Sequence, residues 1–168
     1  EFIKDIETAT KIFKEKLGYS PSIFSYPFGE YSLYMKKYIS NNFKIAFGQH
    51  SGVIDINKDK FELPRFPINE KYGEMSRFKS LINYIPLEYK TLKPEEKKLD
   101  SKNNPPKLIV EFFKKQKNIQ NINCYSNDGG NWKKPDLKFK DNIMSINFKE
   151  PFIPRRGRVN CSLNENGE

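Results

Sequence analysis

The chain has 168 residues, of which 36% are hydrophobic and 14% aromatic, and its mean hydropathy is −0.78. This aromatic content excludes a disordered chain, and no run approaches the roughly 18 apolar residues of a membrane-spanning helix. The formal net charge is +9, but only five of the 30 basic residues are arginines. Nucleic-acid sites favour clustered arginines, so scattered lysines argue against a nucleic-acid partner.

The start of the chain has apolar residues at helical spacing, followed by a glycine. These residues are Ile3, Ile6, Ala9, Phe13 and Leu17. The spacing predicts a helix that ends at Gly18, since glycine readily takes the left-handed conformation of a helix C-terminus. A short apolar run at 23–24 then predicts a strand, and the proline and glycine at 27–29 predict a turn.

A second helix is predicted after this turn, with Ser32 as its N-cap and 41–42 as its end. A strand at 43–47 and a loop at 48–60 follow. A third helix is marked by three apolar residues, Phe78, Leu81 and Ile82, and 86–91 is expected to be extended. The alternation of helices and strands predicts βα units of a parallel sheet or barrel.

The composition changes after Tyr89. Residues 92–107 are charged and proline-bearing, which is typical of a linker. Short apolar runs follow at 108–113, 119–125, 137–139, 143–148 and 159–163. The sequence Asn-Asp-Gly-Gly-Asn at 127–131 predicts a turn between two of them. This pattern predicts a small antiparallel β domain.

The two cysteines, Cys124 and Cys161, both lie in this second half. Either a disulfide or two buried thiols fits the sequence. The chain begins at Glu1 without a recognisable signal peptide and ends at Glu168 soon after a predicted strand. We therefore expect both ends to be cuts in a longer protein.

The first segment with functional promise is SYPFGEYS at 25–32. Here a predicted strand ends, proline and glycine turn the backbone, and a helix begins. In parallel α/β folds this junction lies at the edge of the sheet where active sites gather. Backbone amides in such a turn can stabilise an oxyanion, although an ordinary βα turn has the same sequence features.

The second segment is FGQHSG at 47–52, which also follows a predicted strand. Two glycines frame three polar residues, as in a loop that faces a ligand. His50 is the only histidine, and an imidazole can transfer protons near neutral pH. His50 is thus a candidate general acid, with a loop histidine of no chemical role as the alternative.

The third segment is LPRFPIN at 63–69, where Arg65 stands between two prolines. Proline fixes its own φ and stiffens the chain. A rigidly held guanidinium suits bidentate binding of a carboxylate. The alternative is an exposed arginine on a stiff loop.

In this order and spacing, the three segments resemble the polysaccharide deacetylase family of carbohydrate esterases, also called the NodB-homology family. The shared patterns are Tyr-Pro-Phe-Gly-Glu-Tyr-Ser, Phe-Gly-Gln-x-Ser-Gly and Leu-Pro-Arg-Phe-Pro-Ile, within residues 1–88. Residues 121–161 resemble the β domain that follows the barrel in some such proteins. The resemblance implies an α/β fold: the C-terminal part of a distorted (β/α) deacetylase barrel followed by a small antiparallel β domain.

The resemblance also implies a metal-dependent hydrolysis of N-acetyl groups on a sugar. In the family, one aspartate and two histidines hold the metal, usually zinc, and a second aspartate is the base. These residues precede the tyrosine-proline turn, whereas here only one predicted helix precedes it. We therefore expect zinc or a similar divalent metal in the full-length protein and no metal ligands in this chain.

The resemblance gives roles to individual residues. The backbone amide of Phe28 matches the oxyanion donor of the family. Ser25 stands where many members have an arginine that orients the catalytic aspartate, and Arg65 is the candidate to replace it. His50 departs from the family's usual pattern for the general acid. The expected substrate-binding residues are Tyr26, Glu30, Gln49 and Ser51.

The expected organisation is a partial barrel at 1–91, a linker at 92–107 and a β-sandwich-like domain at 108–168 that is truncated at its end. The expected function is that of a fragment of an exported polysaccharide deacetylase, in the periplasm or cell envelope, with an N-acetylated polysaccharide as partner. A carbohydrate-binding or envelope-interaction module is the alternative, with Tyr125 and Trp132 as platforms for sugar stacking.

Overall fold

The computed structural model describes residues 1–114, 116–155 and 157–164. The chain divides into two units, Glu1–Pro86 and Leu87–Glu168. The division lies before the predicted linker, because Leu87 and Tyr89 pack against the core of the second unit. The predicted abrupt end at Glu168 lies outside the described residues.

The end of the first helix and the start of the second lie where local sequence signals predict them. Helix α1 (Phe2–Leu17) ends at Gly18, which has φ 80° and donates its amide to the Lys14 carbonyl. Helix α2 (Leu33–Asn42) begins after Ser32, whose Oγ accepts the Met35 amide at 3.3 Å. Helix α3 spans Met75–Leu81. None of the helices in the described part of the chain is long and apolar enough to cross a membrane.

Two short parallel strands lie next to these helices. Strand β1 (Ile23–Ser25) pairs with β2 (Ile45–Phe47), and α2 connects them. The core beside the strands is mainly aromatic. Buried Tyr26, Ile39 and Ala46 pack with partly buried rings, among them Phe24, whose ring centroid lies 5.3 Å from that of Tyr26.

The second unit is built from antiparallel strands. A four-stranded sheet has the order β3-β4-β7-β6, with strands Thr91–Lys93 (β3), Leu108–Glu111 (β4), Asp136–Lys140 (β6) and Ile143–Asn147 (β7). Strands β5 (Asn123–Ser126) and β8 (Val159–Ser162) form a separate pair. Two residues of the predicted linker, Leu92 and Lys93, therefore belong to a strand.

The core of the second unit is aliphatic around one phenylalanine. Its buried residues are Val110, Phe112, Ile119, Ile122, Cys124, Met144 and Ile146. A disulfide joins Cys124 on β5 to Cys161 on β8, with the two Cα atoms 4.1 Å apart. The structure thus decides between the two states of the cysteines that the sequence left open.

The predicted (β/α) barrel is wrong. Within the described ranges only β1 and β2 form a parallel sheet, and it has two strands. A (β/α) barrel needs a closed ring of parallel strands, each followed by a helix. Here the expected extended segment after α3 leads into β3, which pairs antiparallel with β4. The predicted order of strand, helix and strand is confirmed at 23–47, but this alternation does not continue into a barrel.

Candidate functional site

The three candidate segments lie side by side at the carboxyl ends of β1 and β2. Leu63 forms a parallel bridge with Phe47 at the end of β2. The Gly48 amide donates to the Leu63 carbonyl at 3.0 Å, and the Arg65 amide donates to the His50 carbonyl at 3.0 Å. The third segment therefore extends the edge formed by the two strands. We call the residues of this edge, 26–30, 48–52 and 63–65, the edge site.

The turn after β1 has an unusual backbone at Phe28. Its φ of 57° and ψ of 4° lie in the left-handed region, which is uncommon for a bulky residue. The Gly29 amide donates to the Tyr26 carbonyl at 2.8 Å, and the Glu30 amide donates to Pro27 at 3.1 Å. These bonds hold the turn in place. The side chain of Phe28 is 56% exposed.

Gly29 brings the first segment into close contact with the second. Its φ is 72°, and a Cβ placed on it would lie 2.6 Å from both the Cβ and the amide nitrogen of Gln49. No side chain fits between these backbones. Glycine at this position is therefore required both by the conformation and by the close approach.

The two glycines of the loop after β2 allow close contacts with neighbouring side chains. A Cβ on Gly48 would lie 2.8 Å from Nδ1 of His50, so the imidazole is folded back against the Gly48 backbone. A Cβ on Gly52 would lie 3.2 Å from Pro64. The loop is thus held between its own histidine and the third segment.

Tyr26, predicted to contact substrate, is instead a core residue. It is 1% exposed, and its ring stacks on Tyr31 with centroids 4.7 Å apart. Burial, together with the carboxylates of Asp59 and Glu62, raises the pKa of the Tyr26 hydroxyl. The sequence did not reveal the burial of Tyr26, because the residue lies just after β1 in a turn, where side chains are usually exposed.

The other predicted site residues are all exposed: Phe28, Glu30, Gln49, His50, Ser51 and Arg65. Together they offer a carboxylate, an amide, an imidazole, a hydroxyl and a guanidinium on the edge of one small sheet. Such a mixture of donors and acceptors can bind a ligand rich in hydroxyl and amide groups. The structure brings together residues that the sequence placed in three separate segments.

An ion-pair cluster behind the edge site was not found from the sequence. Nζ of Lys36 on α2 lies 2.8 Å from Asp59 and 3.0 Å from Glu62, and the Tyr31 hydroxyl donates to Glu62 at 3.0 Å. Burial alone would lower the pKa of Lys36, but its hydrogen bonds to the two carboxylates raise it. The cluster ties α2 to the chain just before Leu63. Lys36 and Glu62 are 26 positions apart, so no local pattern connects them.

The zinc site implied by the resemblance does not fit the residues of this chain that the structure describes. Among them, no group of three or more histidine, cysteine, aspartate or glutamate side chains is placed to hold a metal ion.

Comparisons with known proteins give no relative for the chain. No family model matches it, and neither the curated proteins nor the solved structures contain a significant match.

Proposed function

We propose that this chain is part of a polysaccharide deacetylase that removes N-acetyl groups from an envelope or extracellular glycan. The edge site would form one wall of its glycan groove. One observation carries this proposal: the three segments that resemble the deacetylase family meet at the carboxyl ends of parallel strands. Active sites of parallel α/β folds lie at such ends.

In this proposal the backbone amide of Phe28 donates to the oxyanion that forms on the acetyl carbonyl. Its left-handed backbone supports the role, because strained residues cluster at functional sites. The exposed side chains of Glu30, Gln49 and Ser51 bind sugar hydroxyl and amide groups. Arg65 orients a catalytic carboxylate, and His50 is a candidate proton donor.

In this proposal, zinc or a similar divalent ion would be held by residues of the full-length protein outside this chain. The chain by itself is then expected to bind the glycan but to have little hydrolytic activity. The disulfide between Cys124 and Cys161 supports export to the periplasm or cell envelope, since disulfides persist in oxidising compartments.

The test is a titration of the 168-residue chain with chitotetraose, a tetramer of N-acetylglucosamine, followed by amide NMR. We expect saturable shifts at Gly29, Gln49, Ser51 and Arg65. Fully deacetylated chitotetraose is the matched ligand control. It should give weaker shifts, because its ammonium groups meet Arg65 in place of neutral amides.

Two variants refine the test. Gln49→Ala, which removes an amide assigned to the sugar, should weaken binding, whereas Gln120→Ala, which removes an exposed amide of the second unit, should not. A spectrum in which chitotetraose shifts no amide of the edge site would overturn the proposal.

A second candidate function is a carbohydrate-binding or envelope-interaction module without catalysis. It is favoured by Tyr125 and Trp132, which are 46% and 49% exposed. Shifts confined to residues 87–168 in the same titration would support this candidate over the first.

A further inference from the structure

The second unit has an exposed face that the edge site does not involve. Along β5 and β8 the side chains alternate between inside and outside. The exposed members are Asn123, Tyr125, Asn160 and Ser162, while Cys124 and Ser126 are buried. Tyr125 is the register partner of Asn160, and Asn123 that of Ser162. Since register partners in an antiparallel pair project to the same side, these four side chains share one face.

A third extended segment adds an aromatic ring and a cation to this face. Ser126 and Lys133 exchange two backbone hydrogen bonds of 2.9 Å. The neighbours of Lys133 therefore project to the side of Tyr125, which the structure confirms for Lys134: its Nζ lies 5.6 Å from the centroid of the Tyr125 ring. Trp132 precedes the bridge residue Lys133 as Lys134 follows it, so alternation about this residue places Trp132 on the same side, and its side chain is 49% exposed.

A second basic residue, Arg158, lies next to this face. Arg158 lies beside Asn127 at the end of β5, where its amide donates to the Asn127 Oδ1 at 2.6 Å. Together with Lys134 it adds positive charge to a face whose other members are amides, a hydroxyl and two aromatic rings. We call the set Asn123, Tyr125, Trp132, Lys134, Arg158 and Asn160 the stacking face.

A cleft of about 460 Å³ borders the stacking face at Lys134. It is also lined by Phe148 and by a second cation, Lys149. Its one carboxylate belongs to Asp136, which lies 4.0 Å from Lys138. The cleft gives space beside Lys134 for a group as large as a sugar ring.

We propose that the stacking face binds an acidic polysaccharide through its uronic acid units. The C–H face of a pyranose ring packs on Trp132 and Tyr125, because this removes apolar surface from water. The sugar carboxylate pairs with Lys134 or Arg158, and the hydroxyls bond to the asparagines. This inference does not depend on deacetylation, and it specifies a ligand for the second candidate function.

A single-stranded nucleic acid also combines rings with negative charge. The observations favour a glycan, because the face presents asparagine side chains beside its aromatic rings and has two cations. A phosphate at every nucleotide calls for a longer basic groove.

The experiment uses the intrinsic fluorescence of the whole chain, because Trp132 is its only tryptophan. The probe is a hexamer of galacturonic acid. Polyglutamate of equal charge, a neutral glucose hexamer and an oligothymidylate serve as comparison ligands. We expect a saturable change of emission with the galacturonate hexamer that weakens as salt is added. The comparison ligands should give a response several-fold weaker.

Substitutions test whether the ligand binds at the stacking face. Their affinities are measured by calorimetry, which does not depend on tryptophan fluorescence. Lys134→Gln should weaken galacturonate binding by roughly fivefold, as expected for the loss of about 1 kcal/mol, and Lys140→Gln on β6 is its charge-matched control. Trp132→Ala should weaken it by about tenfold or more, whereas Trp132→Phe keeps most of the affinity.

The inference is overturned by any of four results. These are no response to galacturonate, an equal response to polyglutamate, equal binding of the neutral hexamer, or tighter binding of the oligothymidylate. Circular dichroism of each variant at the titration temperature verifies that it is folded. If Trp132→Ala is unfolded, Lys134→Gln and its control decide the question.

Discussion

The carboxylate of Asp128 is buried and lies 3.2 Å from the ammonium group of Lys133. It also accepts the Ser126 hydroxyl at 2.6 Å and the backbone amides of Lys149 and Glu150 at 3.1 Å. This one side chain therefore connects the turn after β5 with the chain after β7. The hydrogen bonds of this buried carboxylate therefore stabilise the second unit.

Replacement of Asp128 by asparagine should destabilise the protein. The amide keeps one acceptor oxygen but loses its charge, so Lys133 retains only Glu150 as an ionic partner among the described residues and the buried donors lose a charged acceptor. We expect a loss of about 2 to 3 kcal/mol in the free energy of unfolding, measured by urea denaturation. Asp136→Asn on the surface of β6 is the control and should stay within about 0.5 kcal/mol.

The same carboxylate should make stability depend on acid pH. Burial alone would raise the pKa of Asp128, but hydrogen bonds from Ser126 and Glu150 and the charge of Lys133 outweigh it and hold the pKa below its usual range. Its stabilising contribution is therefore fully present above the unfolded value of about 3.9 and is lost as the pH falls through the folded value. The stability difference between the wild type and Asp128→Asn should shrink below about pH 4. A difference that stays constant from pH 6 to pH 3 would contradict this assignment.

Removal of the Lys36 ammonium should destabilise the protein and weaken the attachment of the third segment of the edge site to α2. Lys36→Met keeps the aliphatic stem but leaves Asp59 and Glu62 without their cation, and we expect a loss of about 1 to 2 kcal/mol. Hydrogen exchange should become faster at the Leu63 and Arg65 amides. Lys37→Met changes the exposed neighbour on α2 and should alter neither quantity. Equal effects of the two variants would show that the cluster does not hold this segment.

A comparison of two glycine substitutions tests the close contact between Gly29 and Gln49 in the edge site. Gly18 and Gly29 both have positive φ, but a Cβ on Gly18 would meet nothing within 4 Å, whereas one on Gly29 would meet Gln49. Gly18→Ala should therefore cost about 1 kcal/mol for the left-handed backbone alone. Gly29→Ala should cost clearly more and shift the Gln49 amide resonance. Similar losses for both variants would argue against the contact.

Reduction of the disulfide should destabilise the second unit. The bond closes a loop with a sequence separation of 37 residues, for which chain entropy gives roughly 4 kcal/mol. Thermal unfolding with and without a reductant, and of the variant with both cysteines changed to alanine, checks this. Hydrogen exchange should increase in β5 and β8 and stay unchanged in β1 and β2.

Local signals in the sequence predicted local structure well. Gly18 and Ser32 mark helix ends, and the glycine-rich turn at 127–131 lies between β5 and β6. The meeting of the first two segments was also predictable, because the strands that precede them form a parallel pair and strand ends of such a pair share one edge. The third segment joins them through the bridge between Phe47 and Leu63, which no sequence signal indicated. The predicted barrel is wrong, because closure of a barrel depends on how many further parallel strands pair, and β1 and β2 alone do not determine this.

What the sequence could not show depends on distant partners. Asp128 reads as an ordinary turn residue, yet its partners at Lys149 and Glu150 are more than 20 positions away. Tyr26 reads as a ligand-facing aromatic beside a turn, yet it is buried in a cluster with Ile39 and Ala46, which are 13 and 20 positions away. Side-chain burial at these positions is decided by chain segments that are remote in sequence.

The position of the disulfide also bears on how the second unit reaches its fold. Cys124 and Cys161 are register partners in β5 and β8, so a slip of one residue would turn the two sulfur atoms toward opposite sides of the ribbon. Once formed, the covalent bond excludes every shifted alignment of these short strands. Oxidation would then fix the pairing of the two strands, because a bond between these sulfur atoms is compatible with the observed register and not with a slip of one residue.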